Sequence, residues 1–424
     1  MIQEQTMFKS ILIFLFFLFP IFTEEYEFPL ATKEAREKYK AEMLNTISSE
    51  INSFKQKNKE SSIKKAFEYM QVLNYIEDDG YSFLKSTLID YPIKSENFYS
   101  SCLETIYTLY ESGFEEEMQK ILQETTGAKH FTIASHFLLR LYPEEKEKYL
   151  TILKKRFKDY QKIPQLRILA QYLEISPSEF LLKRPSLKDL FSHTYEKDKF
   201  ILFSIQRANR DYPGLLIIKK PDGTFLRRED GSIFTISQLA RSVSDLPSYV
   251  VNGNTPQGIF SIQKIQTVKN DIIGPTPAVI TSMPFEISTE LYFHSPKKLG
   301  KWSLKSYLDI LPYSWRNYFP IHEAYIAGEM GRSGIYAHGT TVDTEFYKDY
   351  SYYPNTPTRG CLSSKEIWSR KTGKSLFSDQ SVLVNALKSL EPSRGYLIVF
   401  DIDDREMPVT LDEVLMDILE VEDK

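Results

Sequence analysis

Cysteine is almost missing from this chain: 424 residues hold two, Cys102 and Cys361. Two thiols close at most one disulfide, so a disulfide-stapled scaffold is excluded and each thiol needs its own explanation. Histidine is nearly as scarce, at six. His130 and His136 share one segment, but no Cys or carboxylate stands around them at ligand spacing. No metal site is therefore expected, and both read as structural or surface residues. An excess of either charge is missing too. Lys and Arg number 53 against 57 Asp and Glu, net −4, which removes the electrostatic footprint of a nucleic-acid binder. Apolar runs of bilayer-spanning length, roughly 18–20 residues, are absent. Glycine is thin at 17, beside 27 Tyr and 28 Phe, so aromatic cores or aromatic grooves are both open.

What is present suits a chain of two or three domains with real cores, since 42% of residues are apolar and 26% charged. Lys9 precedes the apolar run Ile11–Phe22, and Glu24-Glu25 follow it. That pattern predicts a secretory signal peptide or an N-terminal anchor over residues 1–25, with no A-x-A cleavage site to decide between them. Residues 31–195 carry helical patterning. Ile63–Ile76, Ser95–Tyr110, Ala128–Tyr142 and Pro164–Leu173 place apolar residues three and four apart. Their starts recur every 32 to 36 residues, with more charged helices at Phe114–Thr125 and Glu144–Tyr160 between them. A helix pair at that period is similar to a short α-solenoid of the HEAT or TPR kind, without TPR signature residues. An irregular bundle packed on the next domain is the alternative. An array of this kind implies a protein partner along its concave face. Cys102 lies on the apolar stripe of its helix, beside Leu103 and one turn from Ile106, and reads as a small buried hydrophobe.

From Phe200 the pattern changes to strands. Phe200–Gln206 and Gly214–Lys219 are apolar runs of strand length, Asp222-Gly223 and Asp230-Gly231 are tight-turn dipeptides, and Gly395–Ile402 is the last clear strand. Ser303–Tyr318 and Ser381–Leu390 are the helical insertions expected there. The fold class read from the chain is α+β and multidomain: a helical region at 31–195, a mostly β domain at 198–402, and an acidic tail at 403–424.

Two segments of the β domain carry chemistry: Gly334–Thr340 (GIYAHGT) and Thr358–Ser364 (TRGCLSS). A thiol is a nucleophile only as thiolate, which a neighbouring imidazole or an array of N–H groups favours. Gly360 lets the chain turn tightly before Cys361 and offer N–H donors to an oxyanion. Arg359 adds positive charge. His338 ends a β run, and its second ring nitrogen needs an acceptor such as the Gly339 carbonyl to set the tautomer. A buried Cys with an unrelated surface His is the plain alternative. The Arg, Gly, Thr and Ser around Cys361 make a poor core environment and speak against it.

The pair HGT and TRGCLS resembles the YkuD family of L,D-transpeptidases, whose signature is a His-Gly element followed by Ser/Thr-x-Gly-Cys. Asn254–Phe260 (NTPQGIF) resembles the family's T-P-x-G-x-F segment, and the likeness covers about residues 198–402. It implies Cys361 as nucleophile, His338 as general base and acid, and Gly339 as the carbonyl that orients the imidazole. It further implies the N–H groups of Gly360 and Cys361 as oxyanion donors, with Tyr336, Thr358, Arg359 and Ser363 bordering the substrate. Arg359 stands where many members have His, and Ser363 where members carry Arg or Asn, which questions the substrate-carboxylate or loop-bracing role there. The loop Phe346–Pro354 is long and aromatic, and Tyr350, Tyr352 and Tyr353 read as packing or as the wall of a peptide groove.

The expected function is a peptidoglycan L,D-transpeptidase, a transferase of cell wall biogenesis and cell shape. It would act on stem peptides through a Cys361 thioester, with no cofactor, exported to the periplasm or envelope of a bacterium. Hydrolysis of the same thioester, an L,D-carboxypeptidase activity, and a non-catalytic envelope scaffold are the rivals. No nucleic acid is expected as a partner, and a membrane only through an uncleaved anchor.

Overall fold

A computed structural model describes residues 26–54, 59–89, 91–196, 198–390 and 394–422. The expected signal or anchor segment at 1–25 lies outside the described residues. Among the described residues no helix is long and apolar enough to cross a membrane.

Between Lys33 and Ser192 the described residues form helices and short connections. The helix Glu96–Leu109 shows why: Ser95 caps it by accepting the Phe98 N–H at 3.2 Å, and Tyr99, Cys102, Leu103 and Ile106 fall on one buried stripe. Helices Glu60–Leu73, Glu96–Leu109, Ala128–Leu141 and Pro164–Glu174 form an inner row in which each packs on the next. Asp78–Ile89, Glu115–Glu124 and Lys146–Arg156 lie outside that row, each against the inner helix that follows it. This is a stacked array of helix hairpins rather than an irregular bundle. One core runs through it, including Phe67, Met70, Leu103, Ile106, Phe137 and Leu169. A fully buried side chain of that size contributes about 1.5–3 kcal/mol.

The second half is a barrel. Strands β1 (Phe200–Arg207), β2 (Gly214–Lys219), β3 (Thr235–Leu239), β4 (Gly258–Gln266), β5 (Ala278–Ser282), β6 (Ala337–His338), β7 (Leu362–Ser364) and β10 (Gly395–Asp403) close in the order β1-β10-β4-β5-β6-β7-β3-β2. Strands β8 (Glu366–Trp368) and β9 (Ser375–Ser378) make a separate hairpin. The β1–β10 and β6–β7 pairs are parallel. Alternation sorts the side chains: Leu202, Leu216, Ile236, Phe260, Ala337 and Leu362 fill the interior. Phe203, Ile205, Ile398 and Phe400 face outward against helices carrying Phe191, Trp315 and Ile418. The whole is α+β: a helical N-terminal region and a sheet-rich C-terminal region.

Two expectations need correction. The expected acidic tail at 403–424 is, over its described residues, a docked element, because Asp412–Glu422 is a helix that buries Val414 and Ile418 against the barrel's outer core. Buried Arg207 draws it in, pairing with Asp403 at 2.6 Å and Glu413 at 2.7 Å. The span Ser303–Tyr318 is not one helix either. Leu304–Leu308 and the turn Tyr313–Trp315 are separate short pieces, broken at Pro312.

The helical array and the barrel share a core. Leu246, Tyr249, Val250 and Ile326 of the barrel region pack into the helical core. Asn252 Nδ2 donates to Glu104 Oε2 at 3.1 Å, and Arg167 pairs with Glu329 at 2.6 Å. Cys102 is buried in the array and Cys361 is partly exposed; burial pushes the Cys102 thiol far up. A thiol-specific reagent is expected to label Cys361 alone in the native protein and both cysteines in guanidinium. Cys102→Ser should lower unfolding free energy by about 1–3 kcal/mol, since its hydroxyl enters an apolar core; denaturant titration measures it.

Candidate active site

The site rests on two very short strands. β6 and β7 pair in parallel register, Ala337 opposite Leu362 and His338 opposite Ser363. The Leu362 N–H donates to the Tyr336 carbonyl at 2.9 Å, which carries the register back to Tyr336 and Cys361. Ala337 and Leu362 point into the barrel. Alternation therefore places Tyr336, His338 and Cys361 on the opposite face. His338 and Cys361 stand one strand and two residues apart, about 8 Å between their Cα atoms from strand spacing and rise. Among the described residues no hydrogen bond joins Sγ to the imidazole. Such bonds are often long until substrate tightens the site.

Sγ is held by its neighbours. It accepts the Tyr336 N–H at 3.4 Å and donates to the Gly334 carbonyl at 3.4 Å. Burial pushes the thiol up to about 11, against the pull of the Tyr336 N–H and the Arg332 guanidinium, while Glu286 adds to the rise. Burial lowers the His338 imidazole below its usual value, and the bond to Gly339 O partly offsets this. The resting pair is a neutral thiol beside a neutral imidazole. His338 Nδ1 lies against Gly339 O, which can only accept. Nδ1 thus carries the proton, and Nε2 is left as a base.

The peptide after His338 is clamped. Glu366 Oε2 accepts the Thr340 N–H at 2.9 Å, and Trp368 Nε1 donates to the Thr340 carbonyl at 2.8 Å. A Cβ at Gly339 would collide with the Glu366 carboxylate, so only glycine lets that carboxylate lie over the backbone that orients the imidazole. Burial pushes the Glu366 carboxyl up to about 7, against hydrogen bonds that include one from Ser378.

Several expected roles fall differently. The Gly360 N–H donates to Thr358 Oγ1 at 3.0 Å, so it is not a free oxyanion donor in this state. The Cys361 N–H meets no acceptor among the described residues and remains the open donor. Thr358 does not face a substrate: it is buried, and its hydroxyl donates to the Cys361 carbonyl at 2.8 Å, closing the turn. Ser363 is fully buried and donates to the Thr356 carbonyl at 2.7 Å, which braces the loop and touches no substrate space. Arg359 is exposed and reaches away from Sγ to pair with Glu68 of the helical array at 3.0 Å. Tyr336 is half-buried beside the thiol. In the aromatic loop Tyr352 is buried with Tyr347 against Leu239 and stacks near Arg241. That part of the loop is packing, and Tyr353 alone of the three is exposed.

Sequence reasoning assigned no role to four neighbours. Thr255, inside the N-T-P-Q-G segment, donates to the Gly360 carbonyl at 2.9 Å. Glu286 lies in the stretch between β5 and β6, and its Oε2 accepts the Gly334 N–H at 3.1 Å. Arg332 is buried and donates to the carbonyls of Ser248, Gly253 and Asn254. Glu68 comes from another domain. Only Thr255 sits in a motif, so the rest had no local signal. A cavity of about 460 Å³ lies behind this layer, between the helical array and the barrel, lined by His136, Tyr172, Tyr249, Arg210, Glu323 and Asp401. It is not where Sγ opens. Ser248 and Asn254 line it and also hold Arg332, so it backs the site rather than containing it. Among the described residues no cluster of His, Cys, Asp and Glu is arranged to hold a metal.

The raised Glu366 carboxyl has a stability consequence. Between pH 4.5 and about 7 the folded protein keeps a proton there that the unfolded chain releases. Stability therefore falls as pH rises through that window, by about 3 kcal/mol for this group. Glu366→Gln is expected to remove that portion of the loss, read as urea-unfolding free energies of wild type and variant at pH 4.5 and 8. No family model matches this chain, and neither does any curated protein or any solved structure.

Proposed function

We propose that this protein is an exported cysteine L,D-transpeptidase of the YkuD type, acting on peptidoglycan stem peptides in the bacterial envelope. The observation that supports it is the placement of a partly exposed Cys361 thiol and a neutral His338 imidazole on one face of the β6–β7 pair. The HGT and TRGC motifs supply the substrate class by resemblance.

The chemistry follows from those two groups. Sγ attacks a peptide carbonyl carbon while Nε2 of His338 takes the thiol proton. The carbonyl oxygen gains the negative charge and receives the Cys361 N–H. On collapse the C–N bond breaks, His338 returns the proton to the leaving amine, and a thioester remains on Cys361. An incoming amine then attacks the thioester carbon and gives a proton to His338; on collapse the C–S bond breaks and His338 returns that proton to Sγ. Water in place of the amine makes the same enzyme an L,D-carboxypeptidase. A thiol above and an imidazole below their usual values make proton transfer to His338 part of the attack, rather than a step completed beforehand.

The test is covalent capture. Incubation with a carbapenem under reducing conditions should add the adduct mass to Cys361, and Cys361→Ala should abolish it. His338→Gln should slow adduct formation by about 10²–10⁴-fold. The wild-type rate should rise with pH through a midpoint below 6.5, as His338 loses its proton. A folded protein that never gains the adduct sinks the reading in favour of a scaffold. Defined muropeptides with and without an amine acceptor then separate transfer from hydrolysis by product mass.

A further inference from the structure

Arg332 has no motif around it, and its position is hard to explain by packing. Its side chain is buried, and its amino groups donate to three backbone carbonyls, those of Ser248, Gly253 and Asn254. Carbonyls orient a guanidinium and do not neutralise it. The other buried arginines of the barrel are paired: Arg207 with Asp403 and Glu413, Arg210 with Asp401 at 2.5 Å. Arg332 makes no ion pair among the described residues. Glu323, an acid whose charge acts on it, accepts from Tyr172, Ser248 and the Gln257 N–H instead. Burying an ion with no counter-charge is strongly unfavourable, so its retention calls for an anion that forms only at some stage.

The backbone around Cys361 is shaped to admit this cation. Gly360 has φ +111°, and a Cβ there would run into the Arg332 Nη2. The guanidinium thus lies directly under the residue before the nucleophile, and its field reaches Sγ. Of the groups that act on Sγ, the Tyr336 N–H and the Arg332 guanidinium favour a negative sulfur, while Glu286 opposes it. Arg359, the cation next in sequence, is turned away to Glu68.

We infer that Arg332 is an electrostatic positioning residue, a buried guanidinium that stabilises negative charge on Cys361 Sγ and, in acyl transfer, on the adjoining oxyanion. The oxyanion part rests on the transpeptidase reading, whereas the charge at sulfur can be measured without any substrate.

The experiment follows the alkylation rate of each cysteine by iodoacetamide against pH, by peptide mass, in the full chain. Cys102 serves as the internal fold reporter. Arg332→Gln and Arg332→Met remove the charge, and Arg332→Lys keeps it. With Cys102 protected, the neutral variants are expected to shift the Cys361 midpoint up by about one pH unit and to slow alkylation at pH 8 about tenfold. Arg332→Lys should stay within about threefold of wild type, against that tenfold loss. An unchanged profile in a neutral variant that still protects Cys102 overturns the inference, as does a Lys variant as slow as Gln. If both neutral variants expose Cys102, the guanidinium serves to hold the Ser248–Asn254 loop, and the inference fails. Carbapenem acylation of the wild type is read separately, so the failure of one reading does not mimic the failure of the other.

Discussion

The parallel pairing of β6 with β7 is the constraint on which the rest of the site depends. Two residues of one strand and three of the other set the register. Because side chains alternate, a slip of one residue would send either His338 or Cys361 into the barrel and leave the other outside. So short a pair cannot hold its own register. It is held by what surrounds it: Ala337 and Leu362 anchored in the interior core, Thr358 closing the turn, and Thr255 gripping the Gly360 carbonyl.

Around that pair the protein sets two opposed electrostatic tendencies. Burial keeps both the thiol and the imidazole neutral, while Arg332 and the Tyr336 N–H favour charge on sulfur. A neutral resting pair is chemically quiet, since thiolate, not thiol, is the reactive form. In the proposed acyl transfer, charge would appear only as a carbonyl arrives and Nε2 takes the proton. The clamp of Glu366 and Trp368 on the Gly339-Thr340 backbone keeps the imidazole in the tautomer this requires.

The helical array belongs to this arrangement. Its core takes in Leu246, Tyr249 and Val250, its Glu104 holds Asn252, and its Glu68 holds Arg359. The loop that carries the anchoring carbonyls for Arg332 is thus packed by a domain distant in sequence. Any shift of the array against the barrel would be felt at the nucleophile through that loop. This gives the array a structural tie to the site.

The sequence by itself determined the local part of this protein. Helices with three- and four-residue apolar spacing, strands such as Phe200–Arg207, the Cys102 stripe and the two chemistry-bearing segments were all legible, because each depends on periodicity or on neighbours along the chain. The two turn residues Thr358 and Ser363 could be seen but not assigned: whether a hydroxyl faces a substrate or a carbonyl depends on which backbone the fold lays beside it. Only tertiary structure decided that Gly360 donates to Thr358, that Arg359 turns to Glu68, that Asp412–Glu422 docks as a helix, and that Arg332 lies under Gly360. Each is a contact between segments far apart in the chain or a choice of backbone direction at a turn, and no local pattern encodes it.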